Sequence, residues 1–184
     1  MPELPEVEVT RLGLLPALTG AHIVAVRLSK VAAERGLRWP ITAGLTTALP
    51  GLQINAITRR GKYLLLHCTQ DQVPRGTLLI HLGMTGNLRL LPVGTASVLH
   101  DHVDMEVRKS GKTTLMRYHD PRRFGAVLWH DAAQGPVEHH ALLEELGVEP
   151  FSTAFTAEHL FRESRGRTVA VKQFLLAGHA VAYL

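Results

Sequence analysis

The sequence predicts an α+β fold: an antiparallel β-sandwich with an N-terminal helix, followed by a partial helical segment. Three observations lead there. A proline-led acidic stretch opens the chain, the apolar residues from about residue 21 recur with a period near two, and beyond residue 136 the period lengthens to that of helices. Many short strands separated by turn signals suit a sandwich or barrel. With 184 residues, 46% of them hydrophobic, the chain holds one good core or two small ones. A chain of this size buries roughly 70% of the surface its unfolded form exposes, so it needs no disulfide or metal to stay folded.

The first helix starts at Pro5, which suits a first turn, with Glu6 and Glu8 at its positive end. Val7, Leu12, Leu14 and Leu15 supply apolar positions, while Gly13 and Pro16 weaken its far end. Strands are predicted over 22–28, 52–59, 62–68, 77–82, 87–91, 102–109, 113–119 and 124–129. The clearest alternation sets Val103, Met105 and Val107 inward against Asp104, Glu106 and Arg108, and Ser110-Gly111 turns that strand into the next as a hairpin. The β-layer should end within 131–136. Helices are predicted over 137–146, 156–163 and 168–177, closed by Gly147 and Gly178.

Composition excludes several classes. The lone Cys68 forbids an intramolecular disulfide and a four-cysteine zinc site within this sequence. No apolar run approaches the ~18 residues of a membrane span, and the acidic, proline-broken start differs from a signal peptide. A cytoplasmic protein with no membrane association is the expectation. Residues 1–100 carry 10 basic and 5 acidic side chains against 10 and 11 in the remainder, with local clusters at Arg122-Arg123 and at Arg162, Arg165, Arg167 and Lys172. Such a pattern fits a polyanionic partner and equally a solvated basic face.

Several residues could carry chemistry. Once the initiator Met is removed, Pro2 presents a secondary amine, and an α-amino group titrating near ~8 is partly neutral at physiological pH. Attack by that amine on an aldehyde-like carbon gives an iminium, an electron sink for elimination. Glu3 and Glu6 place carboxylates close by for proton transfer. The plainer alternative is a helix start and nothing more. Lys62 reads either as an edge-strand lysine that discourages aggregation or as a point charge for phosphate. Met84, in a Gly-Met-Thr-Gly turn, and Phe124, between Arg123 and Gly125, each read as an ordinary core contact when taken alone. His100 and His102 should share a strand face, as a polar rim or, less simply, as metal ligands. His139-His140 read as solvent-facing.

Five segments occur in order: Met1-Pro2-Glu3-Leu4-Pro5-Glu6-Val7-Glu8, Arg59-Arg60-Gly61-Lys62-Tyr63-Leu64, His81-Leu82-Gly83-Met84-Thr85-Gly86, His100-Asp101-His102-Val103-Asp104 and Asp120-Pro121-Arg122-Arg123-Phe124-Gly125. Together they resemble formamidopyrimidine-DNA glycosylases, the bifunctional base-excision enzymes for oxidised purines, from Met1 to about Leu176. The resemblance implies that Pro2 attacks the sugar C1′, that Glu3 assists protonation and ring opening, and that Glu6 supports the site. Iminium formation then permits β- and δ-elimination. Lys62 would contact the lesion and its phosphate; His81 and His100 would contact phosphates, and Lys172 would lie near the DNA. Met84 and Phe124 would fill the gap left by an everted nucleotide, since unstacking a base costs a few kcal/mol, while Arg122 probes the opposite base. The Met, Arg and Phe combination favours the oxidised-purine branch over the endonuclease VIII branch.

The implied partner is double-stranded DNA containing oxidised purine or abasic sites, bound by a monomer without metal or organic cofactor. Residues 1–134 would form the catalytic β-sandwich domain and residues 135–184 an incomplete helix-two-turn-helix segment. The family's Gly-Asn-Ile-Tyr motif and four-cysteine zinc finger are not found, and Tyr183 falls about where that glycine motif begins. Because phosphate contacts dominate affinity for DNA, a shortened chain should grip DNA weakly. Two readings follow: a glycosylase/lyase weakened by truncation, or a non-catalytic remnant that keeps the fold and some DNA binding. A basic β-sandwich unrelated to repair would leave the ordered motifs unexplained.

Overall fold

The computed structural model describes residues 2–183. Helix α1 (Leu4–Leu18) is followed by β1 (His22–Leu28), the short helices α2 (Lys30–Arg35) and α3 (Leu45–Ala48), and strands β2 (Gln53–Arg60), β3 (Tyr63–Gln70) and β4 (Val73–His81). Then come β5 (Asn87–Pro92), β6 (Asp101–Lys109), β7 (Lys112–His119) and β8 (Ala126–Asp131), and finally α4 (Ala157–Ser164) and α5 (Val171–Leu176). All eight predicted strands are present, within a few residues of their expected ends.

The strands form one ladder in the order β5-β7-β6-β1-β2-β3-β4-β8, with every pairing antiparallel. The join between β1 and β2 is slight, a single registered pair of His22 with Gln53. The ladder therefore turns there into two four-stranded halves that face each other. Ile23, Met105 and Tyr118 from one half share a buried cluster with Ile54, Leu64 and Ile80 from the other, closed by Val7, Leu14 and Leu18 of α1. Each such side chain contributes about 1.5–3 kcal/mol by leaving water. The pleat of β3 sends Leu64 and Leu66 into that core, while Tyr63 and Leu65 join a second cluster with Leu79, Leu128, Val137 and Leu143. Burial on both faces explains the unbroken apolar run Tyr63-Leu64-Leu65-Leu66.

Four expectations need correction. Helix α1 continues past Gly13 and Pro16 because Leu14 and Leu18 are buried beyond them, and the Pro16 carbonyl accepts from Lys109 Nζ at 2.8 Å. The stretch 137–146 is not a helix: a 3₁₀ turn at Val137–His139 gives way to further turns. Val137 and Leu143 are spread across the outer sheet face, with Leu142 and Leu146 packed beside them. Helices α2 and α3 lie where no element was expected, anchored by buried Ala32 and Leu45. Finally, β8 begins at Ala126 rather than at 124, since 121–122 form a turn and 123–125 follow it as irregular chain tied to Asp120 through the Gly125 N–H.

Candidate active site

Pro2 precedes α1 and is partly exposed; Met1 lies outside the described residues. Glu6 Oε2 accepts from the Glu3 backbone N–H at 2.9 Å, closing the helix start with a local side chain. The Glu3 carboxylate accepts from Lys62 Nζ. Lys62 comes from the turn joining β2 to β3, and its side chain is only 14% exposed. It is therefore no ordinary surface lysine.

An ionic chain fixes that turn to α1. Glu8 accepts from Arg11 at 2.6 Å and from Arg59 Nε at 3.0 Å. Arg59 Nη1 reaches Glu149 at 2.7 Å, and Glu149 accepts from the Gly61 N–H at 2.6 Å and from Arg60 at 3.2 Å. The Arg11 guanidinium, opposed by partial burial and aided by Arg59, holds the Glu8 carboxyl below the usual carboxylate range. Such partly wet pairs add little stability. Their effect is to fix where Pro2, Glu3 and Lys62 meet.

His81 ends β4 with its ring against Tyr63, centroids 4.7 Å apart. Burial, with Lys62 and Arg38 nearby, pushes its imidazole down to about 4, against an opposing pull from Asp120. Its Nδ1 accepts from the Gly83 N–H at 3.1 Å, so the neutral ring carries its proton on Nε2 and can donate outward. The sign of the linkage follows. An unfolded histidine protonates near 6.5, so the stability due to neutral His81 is complete above ~6.5 and is lost as pH falls towards 4. Urea midpoints should drop across that window, and a His81→Gln variant should show a shallower slope by up to about 1.4 kcal/mol per pH unit. Equal slopes would contradict the assignment. His67, His102 and His140, also lowered chiefly by burial, contribute with the same sign in both proteins.

The next group gathers around Asp120, which is fully buried. Its carboxylate accepts from Thr85 Oγ1 at 2.6 Å, the Gly125 N–H at 2.9 Å, Tyr118 OH at 3.2 Å and the Arg122 N–H at 3.3 Å. One side chain thus binds the turn carrying Met84 to the turn carrying Arg122 and Phe124. Gly83 lets the two turns touch: its φ is 63°, and a Cβ there would stand 2.5 Å from the Phe124 carbonyl carbon. Met84 is 38% and Phe124 40% exposed, so neither is a core contact. The Arg122 guanidinium lies 4.6 Å over the Phe124 ring.

A continuous path of contacts therefore runs from Glu3 through Lys62, Tyr63, His81 and Gly83 to the Met84, Arg122 and Phe124 group. His100 adjoins it, its carbonyl accepting from the Asp120 N–H at 3.0 Å. Lys172 is exposed on α5 and is not among the residues that make these contacts. The pairing of His100 with His102 needs correction. His100 sits at φ 74° and is half-buried, whereas a bulge between Asp101 and Val103 turns His102 inward. There, His102 Nε2 lies 2.9 Å from the Asp120 carbonyl oxygen. His140 is likewise half-buried, its ring 5.7 Å from that of His130, rather than solvent-facing like His139. Asp120 and Glu149 hold the site together without being obvious beforehand. The first sits in a quoted motif, but nothing local marks the second.

The family model for the formamidopyrimidine-DNA glycosylase N-terminal domain matches residues 1–127. A protein of Polynucleobacter necessarius named formamidopyrimidine-DNA glycosylase is 55% identical over 98% of this chain and 62% of its own length. One of Ralstonia nicotianae with the same name is 49% identical over 98% of this chain and 64% of its own. The chain thus spans under two thirds of the length of these relatives. Among solved structures, the Lactococcus lactis glycosylase complexed with DNA containing N7-benzyl-Fapy-dG matches all of this chain and 63% of its own, with TM-score 0.81 and 31% identity. The L. lactis protein complexed with DNA containing an abasic site also gives TM-score 0.81, at 30% identity. Because the matched domain covers more than half of the sequence and the fold agrees with those structures, this chain belongs to the formamidopyrimidine-DNA glycosylase family.

Proposed function

We propose that this chain is a base-excision DNA glycosylase with AP lyase activity, acting on oxidised purines such as 8-oxoguanine and formamidopyrimidines in double-stranded DNA. The observation that carries the reading is the Glu3–Lys62 ion pair set directly beside Pro2. It puts a carboxylate and a partly enclosed ammonium next to the one residue able to offer a secondary amine.

The chemistry balances with protein groups and water. After removal of Met1, the neutral Pro2 nitrogen attacks C1′ and the glycosidic bond breaks, its electron pair leaving with the base, which takes up a proton. Glu3 assists that proton transfer and the opening of the sugar ring. The resulting iminium acidifies C2′–H; loss of that proton expels the 3′ phosphate, and a further elimination expels the 5′ phosphate. Glu6 holds the Glu3 backbone in place. Lys62 supports the lesion and its phosphate as a point charge, His81 donates Nε2–H to phosphate, and His100 and Lys172 add backbone contacts. Met84 and Phe124 occupy the space of the everted nucleotide, and Arg122, stacked on Phe124, meets the opposite base. The names of the relatives and the damaged or abasic DNA of the structural neighbours support the same assignment.

The test is borohydride reduction in the presence of an 8-oxoguanine duplex and an abasic duplex. A covalent protein–DNA band with both is the expected result. DNA binding without a band at high protein concentration would favour a non-catalytic DNA-binding protein, and absence of both would overturn the proposal.

A further inference from the structure

Beyond the N-terminal domain, the segment ending at Tyr183 reaches back to the turn that carries Lys62. It is firmly placed. The Gly147 N–H donates to the Gly178 carbonyl at 2.8 Å, Val148 pairs with Val181, and the Ala182 N–H donates to the Val148 carbonyl at 2.8 Å. Ala180, Val181 and Ala182 are buried. The residue after Val148 is Glu149, which already holds the Gly61 N–H. Two adjacent stretches of the C-terminal segment therefore close on one turn.

Tyr183 completes the closure. Its φ of 57° lies in the left-handed region that a bulky residue enters only under constraint. The constraint is visible at Gly61, where an added Cβ would stand 2.8 Å from Tyr183 Cδ2. Beside it the Tyr63 phenol is pushed up by burial, with the Tyr183 phenol adding to the effect. The ring face lies 5.0 Å from Lys62 Nζ, a distance at which the aromatic quadrupole attracts an ammonium.

We propose that Tyr183 is a positioning residue for Lys62, its ring holding the ammonium against the Glu3 carboxylate beside Pro2. A lysine loses much rotamer freedom when it is fixed. Here the ring face and the carboxylate each restrict it before DNA arrives, so the C-terminal segment supplies order to a site whose reacting groups lie in the first 62 residues. The effect on rate rests on the amine chemistry proposed above, whereas the contact itself does not.

The test compares Tyr183→Leu and Tyr183→Phe in the full chain, using the rate of borohydride trapping on an abasic duplex, thermal unfolding, and the proton shifts of the Lys62 ε-methylene. The leucine variant should slow trapping on the order of three- to tenfold, the loss expected for one partly enclosed cation–ring contact. The phenylalanine variant should restore the rate to within about twofold, since it keeps the ring face. An upfield ring-current shift of the Lys62 ε-protons should be present in the parent and in Tyr183→Phe, and lost in Tyr183→Leu. Trapping by Tyr183→Leu as fast as the parent, trapping by Tyr183→Phe as slow as Tyr183→Leu, or no ring-current shift in the parent would each overturn the proposal. Should the parent give no adduct at all, the amine chemistry fails, and the ring-current comparison alone then decides whether Tyr183 positions Lys62.

Discussion

A Pro2→Gly chain and a chain that retains Met1 are each expected to give at least about tenfold less borohydride-trapped adduct than the parent. The reason is chemical. A secondary amine that adds to an aldehyde carbon and loses water can only become a cationic iminium, the form that drives elimination. A primary amine gives a neutral imine that must first be protonated, and the Pro2→Gly chain would also lack the ring that limits rotation about φ at its N-terminus. With Met1 in place the proline nitrogen is an amide and cannot add at all. Both proteins keep α1, because its first turn is set by Pro5 and by the Glu6 bond to the Glu3 N–H. Unfolding midpoints should therefore stay close to the parent while trapping collapses. Undiminished trapping by either protein would place the nucleophile elsewhere.

Asp120→Ala is expected to lower stability by about 2–5 kcal/mol, since a fully buried carboxylate is removed from the donors that converge on it. Thr85 Oγ1 and the Gly125 N–H would lose the acceptor that Asp120 offers, while Tyr118 OH would keep only the His81 carbonyl and the Arg122 N–H only Thr85 Oγ1. The milder Thr85→Val removes the bond to Asp120 and the acceptor that Thr85 Oγ1 offers the Arg122 N–H, loosening the join between the two turns without emptying the core. It should cost about 1 kcal/mol of stability yet weaken binding to a damaged duplex, because Met84 and Phe124 would no longer be held as one wedge. Urea denaturation and fluorescence anisotropy with an abasic duplex check the pair. A loss below about 1 kcal/mol for Asp120→Ala would show that the carboxylate is not the hub its hydrogen bonds describe.

Most of the β-structure was legible in the sequence because its strands obey a period of two. The hairpin of β6 and β7 is the clearest case, where Val103, Met105 and Val107 are buried as expected. The stretch 137–146 was not legible, since Val137 and Leu143 are apolar for the sake of a sheet face supplied by Tyr63, Leu65 and Leu128, which local spacing cannot reveal. Pro16 misleads for a similar reason: tertiary burial of Leu18 outweighs the local cost of proline in a helix. At the site, Pro2, Glu3 and Lys62 stood in quoted motifs and are found together, as are Met84, Arg122 and Phe124. What joins them was hidden. Glu149 lies 88 residues from Gly61 in sequence, and Tyr183 meets Lys62 from the far end of the chain. The inward turn of His102 depends on a bulge that no residue pattern announces.

Mass spectrometry of the reduced protein–DNA adduct shows directly which atom joins the sugar. After nuclease and trypsin digestion, the peptide 2–11 should carry the deoxyribose remnant on its N-terminal nitrogen. A remnant found on Lys62, or on any peptide other than that one, would contradict attack by Pro2.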